Sequence, residues 1–164
     1  MANCNAAQTA GVKIVFDPNY RARLWKNTEE TKAQYHLAFS VADITLPGVE
    51  DLTTLYNVHS VDAVIEYLQK YKIEEIVVKN GPASVVTKHD NTLQSHTIIP
   101  VKNVVDTTSA GDAFNGVYLG ARLSGLTIEN AVQLAAKAAG AVIQQPGAIV
   151  PKDIFQLAMA EAGI

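Results

Sequence analysis

Residues 106–114 read Asp-Thr-Thr-Ser-Ala-Gly-Asp-Ala-Phe, and this stretch stands between the valine-rich segment Val101–Val105 and a segment with helical periodicity. The periodic segment runs from Asp112 to about Ser124, where Gly125 stops it. Small residues leave the backbone N–H groups of the first helical turn accessible. Because those groups have no partner within the helix and the positive end of the helix dipole lies there, the stretch predicts an anion-binding turn.

Asp112 has two interpretations at this position. A carboxylate in the first turn of a helix commonly just compensates the helix dipole, which is worth about 0.3–1 kcal/mol. Beside a bound phosphate, the same carboxylate could accept the proton of an attacking hydroxyl, a general-base role worth roughly 10²–10⁴ in rate. The chemistry of the residues alone favours the first interpretation.

Short β-rich runs alternate with helical patterns before this stretch. The first run ends at Asp17-Pro18-Asn19, which places a polar loop at the C-terminal end of a strand. A hairpin that turns at residues 89–91 predicts antiparallel pairing at one margin. The predicted strands are Val12–Phe16, Asp43–Leu46, Glu75–Lys79, Ser84–Thr87 and Thr92–Ile99.

Helical patterns fill the remaining segments, and several begin at residues that cap helices. Gly11 stops a short helical pattern at the amino end of the chain. This alternation indicates an α/β fold with a mostly parallel sheet, flanking helices and an antiparallel margin. The predicted helices run from a cap at Thr28 to about Ala42, from a cap at Ser60 to about Lys72, from Asp112 to about Ser124, from a cap at Thr127 to about Gln144, and from Asp153 to Ala162.

The composition of the 164-residue chain excludes several classes of protein. Thirteen basic and sixteen acidic residues give a net charge of −3 without any basic block, so we expect no nucleic-acid partner. Cys4 is the only cysteine, which excludes an internal disulfide. We find neither a secretory leader nor an apolar run of the ~20 residues that a membrane span requires. We therefore expect a cytoplasmic protein without a membrane partner.

The stretch at residues 106–114 resembles the C-terminal signature of ribokinase-like, phosphofructokinase-B type carbohydrate kinases, Asp-Thr-Thr-Gly-Ala-Gly-Asp-x-Phe. Eight of the nine positions match, and Ser109 stands where the family usually has glycine. The resemblance implies a ribokinase-like fold, a catalytic base at Asp112, and ATP with Mg²⁺ as cofactors. The implied γ-phosphate site consists of the N–H groups of Ser109, Ala110, Gly111 and Asp112.

The same resemblance implies a site for a monovalent cation such as K⁺. The side chain of Asp106 and the backbone of Thr108 are implied to touch the cation. The loop near Gln145 and Gly147 would complete its coordination.

A second metal site is implied at the segment Gly48-x-x-Asp51, which occupies the place of the family's Asn-x-x-Glu motif. That motif helps to hold Mg²⁺ and phosphate through water. The candidate ligands here are Asp51 and, one position early, Glu50. The alternative is that these two acids are ordinary first-turn residues of a helix.

Residues 17–21, Asp-Pro-Asn-Tyr-Arg, with Leu24-Trp25 after them, are similar to the substrate-side loop of 2-keto-3-deoxygluconate kinases and some fructokinases. Arg21 favours a sugar acid, because a guanidinium is the natural bidentate partner of a carboxylate, which fructose lacks. The alternative is a surface ion pair of Arg21 with Glu29 or Glu30. The implied substrate-binding residues are Asp17, Asn19, Arg21 and Asp112.

Lys79 and Gly81 fall where relatives in the family place a strand end and turn beside the nucleotide. The resemblance therefore implies that both residues bind the nucleotide, together with residues 109–111. The alternative is that the segment is simply a turn between two strands.

The resemblance extends from Val12 to about Asp153, whereas full chains of the family are longer. We therefore expect one partial domain over residues 1–164, the C-terminal nucleotide-binding portion of the fold, with the N-terminal half and the lid missing. Two functions stay open: a truncated kinase of 2-keto-3-deoxygluconate, fructose or another neutral sugar, with low or no activity alone, and a non-catalytic nucleotide-binding or partner module. A sheet cut in half exposes an edge, so we also expect a homo-oligomer or self-association.

Overall fold

The computed structural model of the chain describes residues 2–82 and 84–160. The chain divides into two compact units, Met1–Ser95 and His96–Ile164. The expected single partial domain over residues 1–164 stays a prediction. Among the described residues, no helix is both long enough and apolar enough to cross a membrane.

The described residues form a series of strands of two to six residues and helices of eight to fifteen residues. A turn of 3₁₀ helix at residues 22–24 precedes the second α-helix. In chain order the elements are α1 (Ala2–Thr9), β1 (Val15–Phe16), α2 (Thr28–Val41), β2 (Ile44–Thr45), α3 (Val49–Tyr56), α4 (Val61–Leu68), β3 (Glu75–Asn80), β4 (Ser84–His89), β5 (Thr92–Thr97), α5 (Ala110–Leu123), α6 (Ile128–Val142) and α7 (Lys152–Ala160).

The strands form one mixed sheet in the order β1-β2-β3-β4-β5. β1 pairs parallel with β2, and β2 pairs parallel with β3. β4 is antiparallel to β3, with Ile76 opposite Lys88. The predicted parallel sheet with an antiparallel margin is therefore confirmed.

The core of the unit Met1–Ser95 forms around β3, in which Ile76, Val77 and Val78 are almost completely buried. Helix α4 follows a cap at Ser60, whose hydroxyl accepts the N–H of Ala63, as the sequence predicts. Parallel strands buried on both faces read as continuous apolar runs, which is the pattern of β3. The side chains that pack together in this core are Tyr35, Phe39, Leu52, Leu55, Val58, Val64, Ile65, Leu68, Ile76 and Val78.

The core of the unit His96–Ile164 forms between helices α5 and α6. On α5, Phe114 and Tyr118 lie one turn apart and their rings stack at 6.0 Å between centroids. On α6 the buried face is mostly alanine, which lets the two helices approach closely. The fully or nearly buried residues of α6 are Ala131, Val132, Ala135, Ala138, Ala141 and Val142.

Two predicted helix starts are wrong. The cap of α2 is Asn27, whose side-chain oxygen accepts the N–H of Glu30 at 2.8 Å, and Thr28 is already the first helical residue. α5 begins at Ala110, two residues before the predicted start at Asp112. The reason is that the N–H of Ala113 donates to the carbonyl of Ser109, which closes a helical turn over the small residues.

The first two strands are shorter than predicted. Before β1, the N–H of Ile14 donates to the carboxylate of Asp43 at 2.6 Å rather than to a carbonyl of the neighbouring strand. This side chain ends the ladder, because a local acceptor competes with regular pairing. The predicted end of the last helix at residue 162 lies outside the described residues.

Candidate functional site

Asp106 organises the loop that precedes α5. One carboxylate oxygen accepts the backbone N–H of Thr108 at 2.8 Å, and the other accepts the N–H of Gly147 at 3.0 Å. The backbone N–H of Asp106 donates to the carbonyl of Ile143. One side chain thus joins two loops that lie 41 residues apart in the chain.

The hydrogen bonds to Asp106 favour its ionised form. The side chain of Thr108, then the backbone N–H groups of Thr108 and Gly147, hold the pKa of Asp106 below its usual value. A carboxyl group with a lowered pKa in the folded state adds stability above its unfolded pKa, and that stability is lost as the pH falls through the folded pKa.

We therefore expect Asp106→Asn to lower the unfolding temperature at about pH 6, and to lower it less at about pH 3, because the stability that the charge adds is lost as the pH falls through the lowered pKa of Asp106. Thermal unfolding followed by circular dichroism at both pH values measures the difference. The exposed Asp153 in the first turn of α7 offers a matched control, Asp153→Asn. A difference between wild type and Asp106→Asn that stays constant across this pH range contradicts the role of the charge.

The amides at the start of α5 are the predicted anion-binding groups. Ala110 donates its N–H to the carbonyl of Thr107 at 3.2 Å, so that group already has a partner. Within the described part of the chain, the N–H groups of Gly111 and Asp112 have no acceptor. The side chain of Asp112 is exposed. The turn therefore presents at least two unpaired donors at the positive end of a helix dipole.

Ser109 has a left-handed backbone, with φ of 60° and ψ of 10°. Glycine adopts this conformation without a penalty, whereas a residue with a Cβ pays about 1–2 kcal/mol. This conformation explains why glycine suits the position. Ser109 differs from the glycine that the family usually has at this position, but it adopts the same left-handed backbone conformation.

A cavity that the sequence analysis missed lies in the unit His96–Ile164. Its volume is about 320 Å³, and its wall is largely apolar. At Gly140 a Cβ would lie 3.1 Å from a methyl group of Val101, so the absence of a side chain lets this wall close up. The sequence signal that could have predicted this cavity is the series of small residues at helical spacing on α6. The lining residues are Ile98, Ile99, Pro100, Val101, Gln133, Ala136, Lys137, Gly140, Ala141, Gln144 and Ala158.

The loop after β1 is held by side chains from α2 and α3. The buried hydroxyl of Tyr35 donates to the carbonyl of Pro18 at 2.5 Å. Burial, and then the nearby carboxylate of Asp51, raise the pKa of Tyr35 to about 12, so its hydroxyl keeps the proton that it donates. Asp51 also accepts the N–H of Tyr20 at 3.1 Å. These contacts fix the backbone on both sides of Asn19.

Arg21 follows this fixed loop and is exposed. Its guanidinium donates to the carbonyl of Tyr20 at 3.0 Å. Among the described residues no ion pair joins Arg21 to Glu29 or Glu30, and Glu29 lies 3.4 Å from Lys32 instead. The guanidinium therefore keeps most of its donors for another partner.

A second cavity, of about 500 Å³, lies beside this loop within the unit Met1–Ser95. Arg21 and Asn19 supply polar groups, and Trp25 supplies an aromatic wall. Largely apolar cavities with a few convergent polar groups are typical of small-molecule sites. The other lining residues are Phe16, Pro18, Leu24, Gln34, Tyr35 and Ala38.

Lys79 lies near the end of β3, and its ammonium group is 3.4 Å from the carboxylate of Asp17. Gly81 follows in the turn to β4 with φ of +57°, a conformation that favours glycine. The structure thus brings Lys79 together with Asp17, a pairing between two predicted sites that the sequence does not reveal.

Asp51 has a structural task at the start of α3. In addition to the N–H of Tyr20, its carboxylate accepts the N–H of Gly48 at 2.8 Å, so the third residue of the helix caps the residue that precedes it. Glu50 beside it is exposed. In the described ranges no group of three or more His, Cys, Asp or Glu residues could hold a metal ion. The metal-binding role of Glu50 and Asp51 stays a prediction.

Comparison with models of protein families assigns the chain to a family. The model of the pfkB family of carbohydrate kinases matches residues 1–154. The chain belongs to the pfkB family. The resemblance in residues 106–114 and the ribokinase-like fold that it implies are therefore confirmed.

This pfkB chain is similar to 2-dehydro-3-deoxygluconokinase of Escherichia coli, with 36% identity over 146 residues that make up 87% of the chain and 47% of the relative. It is also similar to a fructokinase of Vibrio cholerae in a form bound to fructose, ADP and calcium ion, with 27% identity, a TM-score of 0.84, and coverage of 96% of this chain and 54% of that one. A double mutant of the same fructokinase, bound to fructose, ADP and potassium ion, gives 26% identity, a TM-score of 0.84 and the same two coverages. The chain thus spans about half the length of these relatives.

The predicted site residues of this pfkB chain fall into one group in each compact unit. The group in the unit His96–Ile164 surrounds the turn that Asp106 organises. The group in Met1–Ser95 lies at the ends of β1 and β3 and at the start of α3. The first group is Asp106, Thr108, Ser109, Ala110, Gly111, Asp112 and Gly147, and the second is Asp17, Asn19, Arg21, Glu50, Asp51, Lys79 and Gly81.

Proposed function

We propose that this chain belongs to an ATP-dependent kinase whose acceptor is a sugar acid, 2-dehydro-3-deoxygluconate. The observation that carries the proposal is the turn before α5, where the carboxylate of Asp106 bridges Thr108 and Gly147 while the N–H groups of Gly111 and Asp112 have no acceptor. Unpaired amides at a helix start stabilise the negative charge of a transferring phosphoryl group.

Phosphoryl transfer requires little covalent help from a protein, so alignment and charge stabilisation supply most of the catalysis. Asp112 is exposed at the first turn of α5, where its carboxylate can take the proton of the attacking hydroxyl. The amides of Gly111 and Asp112 hold the phosphoryl oxygens from the same turn. Mg²⁺, which usually binds through phosphate oxygens with one or two carboxylates, neutralises charge on ATP when it is bound.

Arg21 and the cavity beside it support a carboxylated acceptor. The guanidinium has no carboxylate partner among the described residues, and Asn19 shares its cavity. The similarity to 2-dehydro-3-deoxygluconokinase points to the same class of substrate. The alternative acceptor is fructose, because the Vibrio cholerae fructokinase is also similar to this chain.

The cavity against α6 is a candidate site for the base of the nucleotide. Its wall includes Ile98, Val101 and Ala136, which offer flat apolar surface, while Gln133 and Gln144 offer amide groups that can meet ring nitrogens. This cavity lies in the same unit as residues 109–111 and would extend the nucleotide site proposed there.

Asp106 is the candidate centre of a monovalent-cation site. Its carboxylate accepts the N–H groups of Thr108 and Gly147 and a bond from the side chain of Thr108, and a cation would take a remaining lone pair of the two oxygens. The potassium-bound form of the Vibrio cholerae fructokinase gives K⁺ as the ion to test. Thr108 and Gly147, which the carboxylate brings together, would supply the neighbouring backbone.

Calorimetric titration tests the proposal. ADP with Mg²⁺ is titrated into the chain first, and then a panel of sugars and sugar acids is titrated into the ADP complex. We expect ADP to bind and 2-dehydro-3-deoxygluconate to bind more tightly than fructose. Failure of ADP to bind contradicts the kinase assignment, whereas tighter binding of fructose contradicts the sugar-acid acceptor. The second candidate is a non-catalytic nucleotide-binding module, which predicts ADP binding without turnover.

We also propose that the chain associates with itself through the free edge of β1. Within the described residues β1 pairs on one side only, and Val12 and Val15 beside that edge are 55% and 40% exposed. Exposed apolar edge strands pair with other chains, and a lysine on the edge prevents such pairing. We expect sedimentation velocity to show larger species as concentration rises, and Val15→Lys to shift them toward monomer. A wild-type chain that stays monomeric at high concentration contradicts the association.

A further inference from the structure

Tyr35 lies in the wall of the cavity beside Arg21 and is only 3% exposed. Its ring meets Phe16 and Trp25, which also line that cavity, edge to face at 5.4 and 5.7 Å between ring centroids. Its hydroxyl donates to the carbonyl of Pro18, which is a buried residue as well. The ring of Tyr35 therefore packs the wall, whereas its hydroxyl satisfies a buried carbonyl of the loop.

Asn19, the residue after that carbonyl, has a left-handed backbone with φ of +36°. Residues with a Cβ rarely adopt this conformation, and it persists where the surroundings hold it. The carboxylate of Asp17 accepts the N–H of Asn19 at 3.2 Å. The carboxylate of Asp51, at the start of α3, accepts the N–H of Tyr20 at 3.1 Å. Together with Tyr35 from α2, these side chains hold the peptide groups on both sides of Asn19.

The position of the Arg21 guanidinium depends on the same peptide groups. It donates to the carbonyl of Tyr20, the residue that directly follows Asn19. Asn19 and Arg21 both line the cavity, so the backbone between them sets where their side chains meet a ligand. A loop with several conformations would have to be ordered on binding, and that ordering costs affinity.

We propose that the hydroxyl of Tyr35 is a positioning group, which holds residues 18–20 in the conformation that presents Arg21 to the carboxylate of the acceptor. The inference rests on the proposed function for the carboxylated acceptor, but the hold on the loop is a property of the chain without any ligand. The hydroxyl acts through Pro18 and the loop. Without it, the buried carbonyl of Pro18 loses its donor and must turn toward water, which moves the backbone of Asn19.

Tyr35→Phe tests the hydroxyl by itself, because phenylalanine keeps the ring in the wall. We expect 2-dehydro-3-deoxygluconate, titrated calorimetrically into the chain, to bind this variant about tenfold more weakly than the wild type. In the Arg21→Ala background the same change should cost clearly less affinity, because the hydroxyl acts through Arg21. A purely structural role of the hydroxyl predicts equal losses in the two backgrounds and contradicts the inference.

Hydrogen exchange measured by NMR examines the loop without a ligand. The N–H of Tyr20 is the reporter, since Asp51 accepts it only while the loop is in place. In Tyr35→Phe we expect this N–H to exchange about tenfold faster than in the wild type, because the closed loop has lost one hydrogen bond that the opened loop lacks anyway.

Tyr71→Phe is the matched control. The hydroxyl of Tyr71 lies 3.1 Å from Nδ1 of His36, and its ring packs against the core of the same unit, but Tyr71 does not line the cavity. This variant also loses one hydroxyl contact, so the amides of β3, which report opening of the whole unit, should exchange faster in both variants. The affinity for the sugar acid and the exchange of the Tyr20 N–H should change only in Tyr35→Phe.

Three results overturn the inference: sugar-acid affinity that Tyr35→Phe leaves unchanged, exchange of the Tyr20 N–H that rises in neither variant or equally in both, and a Tyr35→Phe chain that does not fold. The last result would place the hydroxyl in the stability of the whole unit rather than in the loop. If the wild type binds no sugar acid, the proposed acceptor is wrong, and the exchange of the Tyr20 N–H alone decides whether the hydroxyl holds the loop.

Discussion

Replacing Asp112 with asparagine is expected to lower the rate of phosphoryl transfer by about 10² or more and to change ADP affinity little. Asparagine has the shape of aspartate but cannot accept the proton of the acceptor hydroxyl. The N–H of residue 112 remains in place, so the phosphate-binding amides are retained. The measurement is the rate of ADP formation with 2-dehydro-3-deoxygluconate, made on a kinase preparation that contains this chain and shows activity. Calorimetric titration of ADP into the same preparation gives the affinity.

Asp62→Asn is a matched control for this change. Asp62 lies in the first turn of α4, so it compensates a helix dipole as Asp112 does, but it lies outside both groups of candidate site residues. If Asp112 only compensates the dipole of α5, the two variants lose similar stability, about 0.3–1 kcal/mol, and neither loses much activity. A loss of activity below tenfold in Asp112→Asn removes the residue from the role of base.

Local signals were sufficient to predict most elements of the fold. The hydroxyl of Ser60 caps α4, and the apolar residues of that helix recur at helical spacing, so its start could be predicted, although the helix ends at Leu68 rather than near Lys72. Gly11 follows α1 with φ of +75°, as its position predicts. The hairpin turns at Asp90, which has φ of +51°. In each case the residue that directs the chain lies within the element or next to it.

The errors arise where two local signals compete or a distant residue decides. Asn27 and Thr28 can both cap a helix, and the structure uses the first. The carboxylate of Asp43 ends the pairing before β1 through a contact that spans 29 residues. Pattern reasoning has no access to a contact of that length, so the predicted strand was too long.

In the candidate site, too, features set by neighbouring residues could be predicted, whereas contacts between distant residues could not. The turn at residues 109–112 was predicted from its small residues, and the left-handed backbone of Ser109 fits the glycine that the family prefers. The bridge from Asp106 to Gly147, the bond from Tyr35 to Pro18 and the pair of Asp17 with Lys79 span 41, 17 and 62 residues respectively. These contacts determine which groups are engaged and which remain available, and only the fold brings them together.

Replacing Arg21 with alanine is expected to weaken the binding of a carboxylated acceptor by about 2 kcal/mol, or about 30-fold, and to change the binding of fructose far less. The guanidinium lies on the cavity wall and makes no ion pair with Glu29 or Glu30 among the described residues, so a substrate carboxylate would be its ionic partner. A bidentate contact between these two planar groups is lost completely in the variant. The measurement is calorimetric titration of 2-dehydro-3-deoxygluconate and of fructose in the presence of ADP.

Arg23→Ala separates a specific contact from a general effect of positive charge. Arg23 is exposed two residues further along the same segment, and it does not line the cavity. Because exposed charges act weakly at physiological salt, its removal should leave both affinities nearly unchanged. Arg21→Lys adds a second criterion: a lysine keeps the charge but lacks the planar fork, so it should restore only part of the lost affinity. Equal losses for the acid and for fructose in Arg21→Ala would mean that Arg21 shapes the cavity rather than recognises the carboxylate.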